Sequence, residues 1–431
     1  MTHNIGYRRS IMSSTPRLSR IPRISRRHIR SLGSLIKEAA EKNWPVDQWK
    51  RAVLNILHGS AAAIHDAEVG AQIPHIEDHI TLSQCKGDKL KIRALKVIKK
   101  LLPDWSDVQE IELERVSGAL TNAVYFVTSE HGRVLLRIYG VGVDEILHRD
   151  KEIAWLKLLS QMNIGPQLLG TFGNGRLEQF LKSETLTQPE IRDPAISEVI
   201  AGRIGELHSI VETFPPTKTE RENPEIWYNV QKWYPMAVRA LAEIYKRKPE
   251  SREDLRKFDL NKLELEIEEA KEAFSSHQND LAFCHNDTQY GNILRMKDED
   301  GELVLVDYEY AGYNYAAFDI GNHWCEWTAD YHSSDPAQLY LDRYPNEEEQ
   351  LRFVRAYLRE RHSANPLTDE EIEEKAVALA KESRLWSVAS HLMWGLWGLV
   401  QTSQSEIDFD YYKYAMQRLV AFRSGLANIY T

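Results

Sequence analysis

The residues best suited to catalysis lie between positions 281 and 330. His285 stands two positions before Asp287, and Asn292 stands five positions after it. A later aspartate, Asp307, ends an apolar run. Phosphoryl transfer uses such a set, because one carboxylate accepts a hydroxyl proton while an amide and a second carboxylate hold Mg²⁺ on nucleotide phosphates. We therefore predict Asp287 as the catalytic base, with Asn292 and Asp307 as catalytic metal ligands.

A predicted β-hairpin connects Asn292 to Asp307. Two apolar runs, 292–296 and 303–306, flank a charged segment that ends in Gly301, as a turn requires. The alternative is that the three polar residues are ordinary turn and cap residues. That alternative requires all three residues to stand at this spacing by chance, so we favour the catalytic interpretation.

An antiparallel sheet is predicted upstream, with a helix over 144–160 after its third strand. Its strand-like segments are 108–116, 123–128, 134–139, 167–172 and 177–181. The loop between the first two strands is small and polar, so its backbone N–H groups could hold phosphate oxygens, although an ordinary hairpin turn fits equally well. Its residues are Ser117, Gly118, Ala119, Leu120, Thr121 and Asn122.

Arg137 lies in the middle of the third predicted strand, between apolar neighbours. A guanidinium group is costly to bury there unless it is paired with an acid. Glu152 on the following helix is the expected partner, which would repeat the Lys–Glu pair of kinases with Arg in the Lys role. Two alternatives are that Arg137 is exposed, or that Asp150 serves as the partner.

Aromatic and acidic residues alternate densely after Asp307 and recur near the C-terminus. Trp394 and Trp397 share one face of a predicted helix. Ring faces and a few carboxylates suit a quaternary ammonium ion, which has no hydrogen to donate. The alternative is a plain aromatic core. The candidate residues for binding such a substrate are Tyr310, Glu326, Tyr331, Trp394, Trp397, Phe409 and Tyr414.

The remaining chain and its composition indicate a two-lobed protein. The length of 431 residues exceeds one ordinary core, and helical periodicity predominates after residue 181. We predict a disordered basic tail over 1–33, with a transit peptide as the alternative, a nucleotide-binding lobe with leading helices over 34–181, and a helical lobe over 182–431. Further helices are predicted at 194–208, 223–246, 262–277, 347–362, 369–380, 387–401 and 409–429.

Charge and cysteine content exclude several classes of protein. The net charge is −10, although eight arginines and no acid fall within residues 1–37. The acidic remainder argues against a nucleic-acid-binding domain. Three scattered cysteines form no disulfide framework, which favours a reducing, cytoplasmic location. No apolar stretch reaches the length of a membrane helix, so we expect no stable membrane insertion.

The motifs over 116–421 resemble those of the choline/ethanolamine kinase family. They are 285–294, 307–310, 314–323 and 394–397. The resemblance implies an α+β, bilobal protein-kinase-like fold, with a small antiparallel-sheet N-lobe and a large, mostly helical C-lobe. It also implies ATP and Mg²⁺ as cofactors, phosphorylation of choline to phosphocholine in the CDP-choline route to phosphatidylcholine, and the ability to form a homodimer.

The resemblance also implies roles for individual residues. Arg137 would contact phosphates, and Gln289 would lie near the nucleotide. The hinge near adenine would be Glu178, Gln179 and Phe180. The seven aromatic and acidic residues named above match the choline pocket of the family, and Glu326 is flanked by Cys and Trp, as in its choline-preferring branch.

Several departures and rivals remain. Ala119 replaces a second glycine of the phosphate loop, Ser117 replaces an arginine found in some members, and Tyr290 replaces smaller or polar residues. The near rival is an ethanolamine or dual-specificity kinase, followed by an aminoglycoside phosphotransferase. A choline-binding pseudokinase scaffold is a third, although the intact Asp287, Asn292 and Asp307 oppose it. A protein kinase is disfavoured because no Ala-Pro-Glu follows Asp307.

Overall fold

The chain folds into a sheet lobe followed by a helical lobe. The computed structural model describes residues 73–116, 122–140, 149–247, 251–277, 280–297, 301–405 and 407–429. The predicted tail, the first leading helices and the loop residues Ser117, Gly118, Ala119, Leu120 and Thr121 lie outside these ranges. The two lobes confirm the predicted α+β architecture.

Six strands form the sheet, in the spatial order β1-β5-β6-β4-β3-β2. They are β1 (His75–Ile76), β2 (Glu112–Arg115), β3 (Asn122–Ser129), β4 (Gly132–Tyr139), β5 (Leu168–Phe172) and β6 (Gly175–Gln179). Neighbours pair antiparallel except β1 and β5, which are parallel. Arg137 lies on β4, the third strand predicted from the sequence, which is one of the two central strands of the sheet.

Two helices flank this sheet. Helix α1 (Asp88–Leu101) buries Leu90, Val97 and Ile98 against the apolar residues of the strands. Its charged residues repeat on the opposite face, which is the pattern of a helix lying on a sheet. Helix α2 (Arg149–Gln161) carries Glu152, whose side chain is almost fully buried.

The second lobe is mainly helical. Its helices are α3 (Pro194–His208), α4 (Ile210–Thr213), α5 (Lys218–Glu222), α6 (Glu225–Arg247), α7 (Arg252–Phe258), α8 (Leu260–Phe274), α9 (Ala316–Glu326), α10 (Glu347–Arg361), α11 (Asp369–Gln404) and α12 (Tyr411–Ile429). Helix α11 packs against α6, α9 and α12, and this contact forms much of the core.

Short strands interrupt the helices and carry the predicted catalytic residues. Strand β9 (Ile293–Met296) pairs with β10 (Leu303–Leu305), which confirms the predicted hairpin. Strand β7 (Ser183–Thr185) extends that sheet, and β8 (Leu281–Cys284) pairs with β11 (Gly312–Tyr315). Strands β7, β8 and β11 were not predicted from the sequence, because each is short and its partner strand lies far away along the chain.

One predicted break is wrong: residues 369–404 form a single helix of 36 residues. From the sequence, the first of two helices was predicted to end at residue 380, because polar residues follow. In the structure those residues have partners beside the helix; Arg384, for example, donates to Gln350 Oε1 at 2.6 Å. Within the described ranges, no helix combines the length and apolarity needed to cross a membrane.

Candidate active site

The segment carrying Asp287 is held by a buried aspartate of α9. The backbone N–H of His285 donates to Asp319 Oδ2 at 2.9 Å, and that of Asn286 donates to Oδ1 at 2.8 Å. Asn286 has a φ of 64°, an uncommon conformation that these bonds stabilise. His208 contacts the same carboxylate at 3.0 Å. Asp319 therefore fixes the backbone immediately before the predicted base.

Asp287 and Asn292 are in direct contact, as their spacing predicts. Asn292 Nδ2 donates to Asp287 Oδ2 at 2.8 Å and to the Asp287 carbonyl at 2.9 Å. Burial, followed by the negative charges of Glu326 and Asp307, raises the pKa of Asp287 well above its usual range. Because Asn292 Nδ2 donates both of these hydrogen bonds, the side-chain oxygen Oδ1 is the Asn292 atom that could bind a metal ion.

Asp307 follows β10 and adopts a φ of 66°. Its Oδ1 accepts a hydrogen bond from Arg137 Nη1 at 3.0 Å. Oxygen atoms of Asp307, Glu309 and Glu152 lie within 4.8 Å of one another. Burial, and then the charges of Asp307 and Glu152, raise the pKa of Glu309 to about 8. Crowded carboxylate oxygens are the ligands that Mg²⁺ prefers, so this group fits the predicted cation.

The predicted pairing of Arg137 with Glu152 is wrong. Glu152 accepts hydrogen bonds from Arg176 at 2.6 Å and from Arg149 at 3.1 Å. Arg137 lies 3.4 Å from Glu178 instead, in addition to its bond with Asp307. Arg137 and Arg176 are direct cross-strand neighbours on β4 and β6, so two buried arginines share the acids of this region. Only Arg137 of these two arginines was predicted at this site from the sequence.

The predicted nucleotide-site residues that the structure describes lie in two places. Asn122 and Glu178 lie beside the acidic residues around Arg137: Asn122 Nδ2 donates to Glu309 Oε2 at 3.2 Å, and Glu178 accepts from Arg176 at 2.6 Å. The predicted hinge residues Gln179 and Phe180 lie at the end of β6, where Gln179 is exposed. Phe180 packs edge-on against Phe126, with ring centroids 5.3 Å apart.

Gln289 lies in the segment of the predicted base. Its Oε1 accepts the Gly291 N–H at 3.0 Å. The turn that leads from Asp287 to Asn292 is therefore closed by the side chain of Gln289 itself.

The seven predicted amine-binding residues lie in one cluster. Trp394 and Trp397 have ring centroids 5.3 Å apart, and Tyr310 lies 5.2 Å from Trp394. Trp397 Nε1 donates to the Tyr310 hydroxyl at 2.9 Å. Phe409 lies 5.8 Å from Tyr414 and 6.4 Å from Tyr331, which brings the C-terminal rings to the same place.

The aromatic cluster adjoins the catalytic segment. Asn286 Nδ2 donates to the Tyr310 carbonyl at 2.9 Å, directly before Asp287. Trp394 Nε1 donates to Asn322 Oδ1 at 2.8 Å, and Asn322 Nδ2 donates to the Asn286 carbonyl at 3.0 Å. The base and the rings are therefore parts of one hydrogen-bonded site.

Comparison with known proteins decides the family. The family model described as choline/ethanolamine kinase matches residues 113–423. The chain belongs to the choline/ethanolamine kinase family. A probable choline kinase 2 of Arabidopsis thaliana is 37% identical over 333 residues, which cover 75% of this chain and 89% of the relative. A choline/ethanolamine kinase of Homo sapiens is 35% identical over 334 residues, covering 73% and 80%.

A solved structure confirms the kinase-like fold. The choline kinase of Cryptosporidium parvum Iowa II aligns with a TM-score of 0.62 at 25% identity, covering 78% of this chain and 95% of that structure. The bilobal, protein-kinase-like architecture implied by the sequence motifs is therefore confirmed, and the chain has the kinase fold of its family.

Several residues of the site were not predicted from the sequence. Asp319 and Asn322 lie inside a quoted motif, but their bonds to the catalytic segment link residues more than 30 positions apart. Arg176 and Arg418 are two further residues that the sequence did not predict for the site. Arg418 is fully buried and donates to Glu326 Oε1 at 2.5 Å. Arg418 stands on a largely apolar face of its helix, and this pattern could have indicated a buried arginine with an acidic partner.

Proposed function

We propose that the protein transfers the γ-phosphoryl group of ATP to the hydroxyl group of choline. The observation that carries this proposal is the junction between the Asp287 segment and the aromatic cluster. Both parts are needed, because the reaction requires a base for the hydroxyl group and a binding site for a cation that cannot donate hydrogen bonds. The names of the relatives from Arabidopsis and human support the same substrate class.

Each catalytic group has a distinct task in this proposal. Asp287 accepts the hydroxyl proton as the oxygen attacks the γ-phosphorus, and Asn292 holds its carboxylate in place. Arg137 supplies a positive charge at the meeting point of the two lobes, where phosphate oxygens carry negative charge. The rings of Tyr310, Trp394 and Trp397 hold the trimethylammonium group.

Mg²⁺ fits the acidic group beside Arg137. Asp307 and the Asn292 Oδ1 would hold it, and Glu309 lies close enough to contribute. When bound, the ion would neutralise charge on the transferred phosphoryl group and its leaving group. Burial, and then repulsion by the neighbouring carboxylates, raises the pKa of Glu309 to about 8, and a bound cation would relieve that repulsion.

The wider role follows from the product. Phosphocholine formation would be the first step of the CDP-choline route to phosphatidylcholine, and we propose a role in phospholipid synthesis. A reducing, cytoplasmic location is supported by the free thiols of Cys85, Cys284 and Cys325.

A coupled assay of ADP release tests the proposal. Choline, ethanolamine and kanamycin would be compared at equal concentration with the wild-type protein and with Asp287→Asn as the inactive control. We expect choline to give the highest kcat/KM. A higher kcat/KM for ethanolamine would overturn the choice of substrate, and turnover of kanamycin alone would overturn the assignment to small amine alcohols.

A further inference from the structure

A buried arginine lies behind the aromatic cluster. Arg418 on α12 has no exposed surface, and its Nη2 donates to Glu326 Oε1 at 2.5 Å. Its Nη1 lies 3.4 Å from Nδ1 of His391. Burying a guanidinium group is costly even when it is paired, and an apolar residue of similar volume often stabilises such a site better. Arg418 is therefore a poor choice for core packing alone.

Glu326 extends this contact to the wall of the pocket. The Tyr331 hydroxyl donates to the second carboxylate oxygen, Oε2, at 2.7 Å. Both oxygens of Glu326 thus already accept a hydrogen bond from this chain. The Arg418 guanidinium carbon also lies 5.1 Å from the ring centroid of Tyr414. Arg418 therefore contacts one pocket ring directly and holds a second through Glu326.

The pairing determines what Glu326 can offer to a bound amine. An unpaired buried carboxylate would be a strong acceptor and counter-ion for a primary ammonium group, which has three N–H donors to satisfy. Arg418 balances the charge of Glu326, and the Arg418 and Tyr331 donors each take up one acceptor position on its two oxygens, which weakens Glu326 as a counter-ion and leaves fewer positions for a substrate N–H. A trimethylammonium group loses little in such a pocket, because it has no donor and binds ring faces.

We propose that Arg418 is a positioning residue that sets the amine specificity of the pocket, by balancing Glu326 and by fixing Tyr331 through it. The inference rests on the proposed choline kinase activity and deepens it. It assigns the preference for a quaternary over a primary amine to a group that does not touch the substrate, rather than to the rings alone.

The test compares choline and ethanolamine as substrates of Arg418→Met, which keeps much of the side-chain volume and removes the charge. We expect the ratio of kcat/KM for choline to that for ethanolamine to fall about tenfold, a difference of about 1.4 kcal/mol. The choline KM should rise while the ATP KM stays within about twofold, because the nucleotide site is separate. An unchanged ratio in a folded Arg418→Met protein would overturn the proposal.

Arg423 provides a matched control on the same helix. Its Nε donates to the buried Glu266 at 2.8 Å, and its guanidinium carbon lies 3.9 Å from the ring centroid of Phe258. Arg423→Met thus removes a comparable Arg–Glu–aromatic group outside the pocket. It should lower the melting temperature without changing the amine ratio. A similar change of ratio in Arg423→Met would assign the effect to general loosening and contradict the proposal.

Two milder variants keep the test decisive if Arg418→Met fails to fold. Tyr331→Phe keeps the ring and removes only the bond to Glu326, and Arg418→Lys keeps the charge. We expect a reduced ratio in Tyr331→Phe and a ratio nearer to wild type in Arg418→Lys. An unchanged ratio in Tyr331→Phe would overturn the proposal. Absence of amine turnover in the wild type would instead refute the proposed function, so the two failures are distinguishable.

Discussion

Arg137 Nη1 donates to Asp307 Oδ1 at 3.0 Å, which connects the centre of the sheet lobe to the predicted metal ligand of the helical lobe. Arg137 is also 3.4 Å from Glu178, and Glu178 is bound by Arg176. Positive and negative side chains therefore alternate from Arg176 in the sheet to Asp307, which follows β10. Because arginine stays charged, Arg137 can exchange a carboxylate for phosphate oxygens without a change of protonation.

Asp307→Asn should raise the Mg²⁺ concentration required for half-maximal rate. The substitution keeps the shape of the side chain but removes the charge, so we expect an increase of about tenfold or more. Asn292→Ala should have a smaller effect, because it removes a neutral ligand. The measurement is a titration of rate against free Mg²⁺ at saturating ATP. Equal Mg²⁺ requirements in wild type and Asp307→Asn would contradict the role of Asp307.

Asp287→Asn should lower kcat by ~10²–10⁴-fold, the usual effect of removing a general base. ATP affinity should change little, because the Asp287 carboxylate contacts Asn292 rather than the sheet lobe. Asp107→Asn, at an exposed position of the sheet lobe, serves as the control. Steady-state kinetics and ATP titration of both variants provide the comparison. A kcat within about tenfold of wild type in Asp287→Asn would exclude its role as the base.

The sequence predicted the parts of this site that depend on short spacing. Asp287 and Asn292 are five positions apart and contact each other directly, so their relation could be inferred from the chain. Arg418 and Glu326 are 92 positions apart, and they meet only because α12 and α9 both pack against α11. The Arg137–Glu152 prediction failed for a related reason, because the choice between two neighbouring arginines depends on strand register.

Trp397→Phe should weaken choline binding more than ethanolamine binding. Trp397 donates to Tyr310 and faces Tyr414, with ring centroids 6.3 Å apart, so it belongs to the pocket as well as to the core. A smaller ring without the N–H should raise the choline KM by up to about 30-fold, the value of one strong cation–π contact. Kinetics with both amines, together with the melting temperature, test this expectation.

Trp386→Phe is the matched control for this prediction. Trp386 lies on the same helix, is fully buried, and stacks on Tyr315 with ring centroids 4.6 Å apart. It should lose thermal stability without a change in the choline-to-ethanolamine ratio. If Trp397→Phe behaved in the same way, Trp397 would be a core residue only.

His391 should make the protein less stable in mild acid. Burial, and then the positive charge of Arg418, lower the pKa of His391 to about 3. The unfolded chain has an ordinary histidine pKa of about 6.5. Between these two values the unfolded state binds a proton that the folded state does not bind. The contribution of His391 to stability therefore falls as the pH falls below about 6.5, by up to ~1.4 kcal/mol per pH unit.

The corresponding experiment is denaturant unfolding of wild type and His391→Gln at pH 7 and pH 5. His391 alone should cost about 2 kcal/mol between these conditions, and His391→Gln should lack that loss. Other buried groups act in both directions: His285 and His323 have lowered pKa values, whereas the raised pKa values of Asp287 and Glu309 favour the folded state as the pH falls. Because both proteins share these four groups, the difference between their pH dependences isolates His391. Parallel pH dependences would mean that His391 accepts a proton in the folded state as readily as in the unfolded chain.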